Sequence, residues 1–332
     1  DQRGNTFWGP IELVTVNLCR RCTFSNQNFR KICSSFSGCS DDASEQRWSL
    51  LKMFHALRNQ LSSDVALRGV AGRRKELSAL ASELIEFAFR LFHGRIEGYQ
   101  ACDSAFHDFD HTLQATIAVL DLLEAHKEKE PIATLIERDW EIALAAVLLH
   151  DSGYLKKSGD CEGSGAKYST IHVGRSCFLA WDLLPQFGFQ PGELRQIQYA
   201  ICATSTAAEM ARIGFRDQRE WLIGALVGTG DMLGQMAADD YPERLAGLYL
   251  EFREASNFSR FQKAGFGAYQ NLLDLLEGTE KFFSGYVIGM LEEEWRGVYS
   301  LLTDRNGHNQ YLERIRANIK RVNSIARTLS DA

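Results

Sequence analysis

From about Trp48 to the C-terminus the apolar residues recur at helical spacing, and almost no stretch alternates in the manner of a half-buried strand. Proline punctuates this pattern rather than interrupting it. The 332 residues contain five prolines, and Pro131, Pro185, Pro191 and Pro242 fall where one periodic run gives way to the next. A residue with fixed φ and no N–H belongs at such boundaries. The pattern predicts an all-α fold of long helices. Lys75–Tyr99 is a clear instance, with Leu77, Leu80, Leu84, Ile85, Phe87, Phe89, Leu91 and Phe92 at helical intervals. Further helices are expected near 105–126, 138–151, 168–184, 191–203, 217–239, 241–256, 259–277, 280–302 and 309–329. Ile142–Leu149 is an apolar run of eight residues, far short of the ~20 that a bilayer span needs. It reads as a buried core helix, and no membrane association is expected.

Residues 1–45 have another character. They are rich in Ser, Asn and Cys, with one strand-like stretch at Ile11–Val16 and a loop-like Ser34–Asp42. Cys19, Cys22, Cys33 and Cys39 are spaced C-x2-C-x10-C-x5-C. Thiolates so placed can close a zinc tetrahedron; the alternative is an irregular arm outside the folded domain. Cys102, Cys161, Cys177 and Cys202 are scattered through helical sequence, the usage of reduced thiols. Asp1-Gln-Arg-Gly4 is not followed by the apolar core of a secretory signal, and the first methionine is Met53, as in a fragment or a processed form. A cytoplasmic protein is expected. The organisation expected is therefore an irregular segment over 1–45 and one helical domain over 46–332. Hydrophobic residues at 45% and charged residues at 24% exclude a disordered chain. Lys+Arg 37 against Asp+Glu 43, a net charge of -6, argues against binding a nucleic-acid duplex.

Three segments carry chemistry. Phe106-His107-Asp108-Phe109-Asp110-His111 places two histidines four apart, expected to share one helix face. In Ala145–Tyr154 an apolar helix ends in His150-Asp151, with Gly153 marking the exit. Val227-Gly-Thr-Gly-Asp231-Met-Leu-Gly-Gln235 sets a lone aspartate in an apolar helix. A carboxylate in such surroundings is rarely buried unless paired or coordinated. His111, His150, Asp151 and Asp231 together offer two imidazoles and two carboxylates. That mixed set suits a divalent metal (Mn, Mg, Fe, Ni or Zn) with positions left for water. Behind His150-Asp151 comes the polar stretch Lys156–Ala166, whose three glycines cannot hold a helix and predict a flexible loop.

In order and context these residues resemble the HD superfamily of metal-dependent phosphohydrolases, whose signature is His … His-Asp … Asp. The Phe-His-Asp-x-x-His segment further resembles the Tyr-His-Asn-x-x-His segment of cyclic-nucleotide phosphodiesterases. The resemblance covers roughly residues 75–256. It implies an HD-domain/phosphodiesterase-like helical bundle with additional C-terminal helices over 257–332, which would complete the pocket, form a homodimer face, or both. It implies His111, His150, Asp151 and Asp231 as metal ligands, and His107 as the acid that protonates the leaving oxygen; Asp108 and Asp110 are the candidates to hold the His107 ring, the alternative for Asp110 being a solvated carboxylate. The departures are specific. Asp108 stands for the family's Asn, and Ser152-Gly-Tyr-Leu-Lys156 follows His-Asp without a further His. Cyclic-dinucleotide hydrolases use two later histidines for a second metal; His172 matches the first, while Ile201-Cys-Ala-Thr204 has none where the second would fall. One tight metal is expected, with a second held mostly by bridging Asp151 and water.

The function expected on that resemblance is hydrolysis of a phosphoester (a nucleotide, a cyclic nucleotide or another small phosphorylated substrate) by metal-activated water, with His107 as general acid and Asp151 at the metal. His172, Gln235, Lys156 and Arg175 are the candidate substrate contacts, with Lys157 and Lys167 near them. Met232 and Met236 are expected in the core, and His55, His93, His126 and His308 in structural or surface places. The alternatives are an inactive HD-fold module that binds a ligand or partner, and a di-iron oxygenase of the same fold.

Overall fold

The structure is a computed structural model in which residues 78–130, 135–258 and 269–331 are described. The 1–45 segment with its four cysteines, His55 and Pro131 lie outside the described residues.

Among the described residues there are nine α-helices and no strand. They are α1 (Ala79–Phe92), α2 (Phe109–Lys129), α3 (Glu137–Leu149), α4 (His172–Leu183), α5 (Pro191–Cys202), α6 (Gln218–Ala237), α7 (Tyr241–Phe258), α8 (Leu272–Lys281) and α9 (Gln310–Ser330). The fold is all-α, and no described helix is long and apolar enough to cross a membrane.

α2 and α6 form the central pair, with a core on either side. On one side α1, α3 and α5 close over Leu113, Val119 and Leu122 of α2 and over Ile223, Leu226 and Val227 of α6. On the other, α7, α8, α9 and Trp295 close over Ala118, Met232, Leu233 and Met236. A helix covered on both sides must be apolar almost all round, and α6 is buried without interruption from Ile223 to Gly234. α3 obeys the same rule: Ile142–Leu149 is buried throughout.

The glycines of α6 set how closely this pair packs. Each costs about 0.8–1 kcal/mol against Ala in a helix interior. A Cβ at Gly234 would lie 2.6 Å from the Gln114 carbonyl oxygen and 2.8 Å from the Ala115 backbone, and one at Gly230 would strike Val119. Two glycines one turn apart thus let the backbones of α6 and α2 approach, and Asp231 between them is carried against α2.

Several helix ends differ from the expected ones. α1 stops at Phe92, not near Tyr99, because His93 caps it and Gly94 turns the chain back at φ 65°. α2 starts at Phe109 rather than near 105, because the Asp108 side chain accepts the His111 N–H at 3.0 Å and caps the helix. α4 starts at His172, after a separate 3-10 turn over Gly165–Tyr168. The helix expected over 280–302 breaks into π-helical turns at Phe282–Val287 and Met290–Glu294 and ends at Gly297, φ 72°. α8 begins at Leu272, where the Asn271 side chain accepts the Asp274 N–H; 259–268 lie outside the described residues.

Candidate metal centre

The first turn of α2 supplies His111. α3 ends at Leu149 and delivers His150 and Asp151 directly beyond it, and the buried middle of α6 supplies Asp231. Their donor atoms converge. His111 Nε2 lies 3.1 Å from Asp151 Oδ2 and 3.2 Å from Asp231 Oδ1. His150 Nε2 lies 3.2 Å from each of the same two oxygens and 3.2 Å from His111 Nε2. All four side chains are buried, the most exposed being Asp231 at 9%.

These contacts are deficient in hydrogens. His150 Nδ1 lies 2.7 Å from the Val147 carbonyl oxygen, an acceptor that keeps a proton on Nδ1 and leaves Nε2 as the atom to take a metal or a second proton. Asp151 Oδ2 and Asp231 Oδ1 are buried with no hydrogen-bond partner. A proton on His111 Nε2 can serve one of the three acceptors around it, whereas a divalent cation would meet the His111, His150 and Asp151 lone pairs together. The spacing fits such an ion. Ligands at ~2.1 Å and 90° apart stand about 3.0 Å from one another, and at tetrahedral angles about 3.4 Å; the five contacts are 3.1–3.2 Å. In the metal-free cluster protons take the cation's place. Burial pushes the His111 pKa down, but the Asp151 and Asp231 carboxylates outweigh it and raise it to about 9. His150 is likewise raised against burial by the same carboxylates. Asp151 and Asp231, which burial alone would raise, are held well below the usual carboxylate range, chiefly by His150.

His107 lies outside α2, so the two histidines do not share a helix face as their spacing suggested. The ring stands beside the cluster all the same, its centroid 5.6 Å from that of His111, and is 18% exposed. Neither Asp108 nor Asp110 holds it. Glu251 of α7 does, with Oε2 2.5 Å from His107 Nδ1 and Oε1 accepting the Phe106 and His107 N–H groups at 2.7 and 3.2 Å. Asp108 instead caps α2 and pairs with Arg244 at 2.7 Å. Asp110 is buried rather than solvated. Tyr154, in the Ser152–Lys156 segment that follows His150-Asp151, lies against the histidines. Its ring stacks between His107, at 4.6 Å, and His172, at 4.5 Å. Burial, before the neighbouring carboxylates, keeps its hydroxyl protonated.

His172, the first residue of α4, places Nε2 3.7 Å from Asp151 Oδ1, while its Nδ1 meets the Ser169 carbonyl oxygen at 2.7 Å. Lys156 is buried and engaged, donating to the Gly163 carbonyl at 2.7 Å and pairing with Asp103 at 2.8 Å. Arg175 donates to the carbonyls of Gly153 and Leu155 at 2.6 and 2.7 Å and lies over the Tyr168 ring. Both side chains fasten the segment that carries Asp151. Lys167 is bound to Asp160 and the Glu162 carbonyl. Gln235 is half-buried one turn beyond Asp231, 4.0 Å from Met232 Sδ. Lys157 is exposed. The stretch expected to be a flexible loop is pinned along its length: Gln100 donates to the Asp160 carbonyl, Ser164 to Glu254, and the Gly165 N–H to Asp103.

Glu251, Arg244 and Tyr154 were not among the residues singled out in the sequence. A signal existed in α7, where Arg244 and Glu251 stand seven apart and in phase with Leu248 and Ala255. Charged residues on an apolar stripe announce buried partners. Gly247 lies between them, where a Cβ would come 2.7 Å from the Ala105 carbonyl oxygen, so α7 reaches the 105–108 segment through a glycine.

The chain matches no family model and no curated protein. Among solved structures it is similar to the phosphodiesterase domain of the RhoPDE fusion protein from the choanoflagellate Salpingoeca rosetta. That likeness has a TM-score of 0.50 at 14% identity, covering 88% of this chain and 94% of that one. It concerns the fold, which is the helical architecture of a phosphodiesterase domain, and the buried His111–His150–Asp151 group within it could hold a metal ion.

Proposed function

We propose that this chain is a metal-dependent phosphohydrolase of the HD type, acting on a nucleotide, a cyclic nucleotide or another small phosphorylated substrate. The observation that carries the proposal is the buried His111–His150–Asp151 group, with Asp231 Oδ1 3.2 Å from both imidazole nitrogens, inside a phosphodiesterase-like fold.

His111, His150, Asp151 and Asp231 would hold one divalent ion tightly, with His172 and Asp151 Oδ1 available to a second. Such an ion supplies hydroxide near neutral pH and neutralises phosphoryl oxygens. The chain's own residues do the rest. Glu251 accepts the hydrogen bond of His107 Nδ1–H and fixes the tautomer, so Nε2 is the atom that would carry a proton to the leaving oxygen. Tyr154 holds that ring flat against its own, fixing the direction in which Nε2 points. Glu251 also ties the backbone on both sides of Phe106 to α7. Burial of the four donors keeps competing water out, which strengthens their hold on a cation.

The test is turnover of bis-p-nitrophenyl phosphate by purified protein loaded with Mn, beside metal analysis of wild type and Asp151→Ala. Turnover and near-stoichiometric metal, both lost in the variant, support the reading. Wild-type protein that retains no metal after Mn incubation refutes it.

A further inference from the structure

α4 is a strap across the turn that carries Asp151. The Ser176 hydroxyl accepts the Gly153 N–H at 2.8 Å, and Arg175 binds the carbonyls of Gly153 and Leu155. Gly153 has no room for a side chain, since a Cβ there would strike the His172 carbonyl and lie 2.8 Å from Ser176 Oγ. The first half of α4 and residues 151–155 therefore move as one body. Cys177, the next residue along α4, faces α5. Its Sγ stands 3.7 Å from Sγ of Cys202, the last residue of α5. Both thiols are half-buried, neither sealed in the core nor fully exposed.

We propose that Cys177 and Cys202 form a reversible disulfide when the protein meets a hydroperoxide, and that closing it disturbs the grip of α4 on the Asp151 turn. The consequence for a metal rests on the function proposed above; the disulfide itself does not. The chemistry balances with hydrogen peroxide as oxidant. The Cys202 thiolate attacks one peroxide oxygen and the O–O bond breaks, giving a sulfenic acid at Cys202 and, with one proton, water. Cys177 sulfur then attacks the Cys202 sulfur. The S–O bond breaks, the S–S bond forms, and hydroxide leaves with the Cys177 proton as a second water. Two thiols are oxidised and one peroxide is reduced to two waters. Cys202 is the attacking sulfur because the Cys177 S–H is held as a donor to the Gln198 carbonyl oxygen at 3.5 Å, which keeps Cys177 a thiol. Cys102 is the contrast to Cys202: burial raises its pKa and keeps it a thiol.

A disulfide brings the sulfurs to ~2.05 Å, about 1.7 Å closer than the 3.7 Å that separates them as thiols. The proposal places part of that approach on α4. The bonds from Ser176 and Arg175 to the turn are 2.6–2.8 Å long, already at their optimum, so displacement of α4 weakens them.

Trypsin places the two cysteines on separate peptides, residues 176–195 and 196–212, each with one cysteine. Reduced full-length protein is treated with stoichiometric hydrogen peroxide, blocked with N-ethylmaleimide and mapped without reductant. The expected result is a linked 176–195/196–212 species that dithiothreitol abolishes and that Cys177→Ala lacks. In the same samples, amide hydrogen exchange over 152–156 is expected to quicken several-fold on oxidation in wild type and not in the variant. Two cysteines that remain separately labelled overturn the proposal, and a linked pair with unchanged exchange overturns its coupling to the turn. Failure of the reduced protein to bind Mn would refute the proposed function and leave both readouts standing.

Discussion

Buried carboxylates meet His111 from two sides, Asp108 at its backbone and Asp151 with Asp231 at its ring, and they are balanced in opposite ways. Asp108 meets the Arg244 guanidinium at 2.7 Å and caps α2, with both side chains at most 5% exposed. Its charge is answered from inside the protein. Asp151 and Asp231 are buried too, yet what they face are imidazoles: His111 and His150 for both, and His172 at 3.7 Å for Asp151. No Lys or Arg reaches their cluster in an ion pair among the described residues. A charge moved from water into a protein loses several kcal/mol of solvation unless a partner restores it. The closed pair is therefore architecture, whereas the charge of the open cluster is balanced by protons on His111 and His150.

That contrast can be broken at five points. The largest effect is expected for Asp231→Ala, which should abolish tight Mn binding in metal analysis and lower phosphodiester turnover about 1000-fold, since a metal supplies several kcal/mol of transition-state stabilisation. Next, Arg244→Ala strands Asp108 and should cost roughly 3–5 kcal/mol in denaturant unfolding. Excess Mn will not restore that loss, whereas Asp108→Asn with Arg244→Met should recover much of it. Third comes pH. His111 is raised from 6.5 to about 9 in the folded, metal-free protein. Its contribution is complete below about pH 6.5 and is lost as pH rises towards 9, so unfolding in EDTA should show stability falling by a few kcal/mol across that window. Mn displaces the imidazole protons, so bound protein should lose the slope and apparent Mn affinity should rise with pH. Fourth, His107→Asn should lower kcat about 100-fold with Mn content unchanged. Glu251→Gln should lower it less and shift the pH–rate profile, which separates a role in orienting His107 from one in folding. Smallest is the surface pair His308–Glu313, 68% and 52% exposed. His308→Ala should leave the thermal midpoint and turnover unchanged, because exposed pairs contribute little.

The helices and the four donor residues were legible because both are written locally. Helical period and proline placement marked most of the elements, and a charge inside an apolar run marked Asp151 and Asp231. The boundaries at Phe92 and Phe109 were not, because they depend on a left-handed Gly94 and on a cap by Asp108. Taking His107 and His111 as one helix face was the error that followed. Glu251 escaped because its partner lies 144 residues away: its place on the apolar stripe of α7 announces a buried partner without saying which one. Lys156 and Arg175 show the converse. A cation in a polar loop looks like a phosphate contact until the carbonyls it binds are seen, and both hold the Asp151 segment together.

α7 carries Arg244, Gly247, Glu251 and Glu254 within eleven residues, gripping the 105–108 segment with the first three and Ser164 with the last. The helix works as a toothed rack, in which the order of the teeth matters as much as their chemistry. A single residue inserted between Arg244 and Glu251 would turn everything beyond it by ~100° about the helix axis. Arg244 would keep hold of Asp108 while Glu251 and Glu254 swung off their partners. Length, ordinarily the property in which a surface helix has most latitude, is here as constrained as the identity of any ligand.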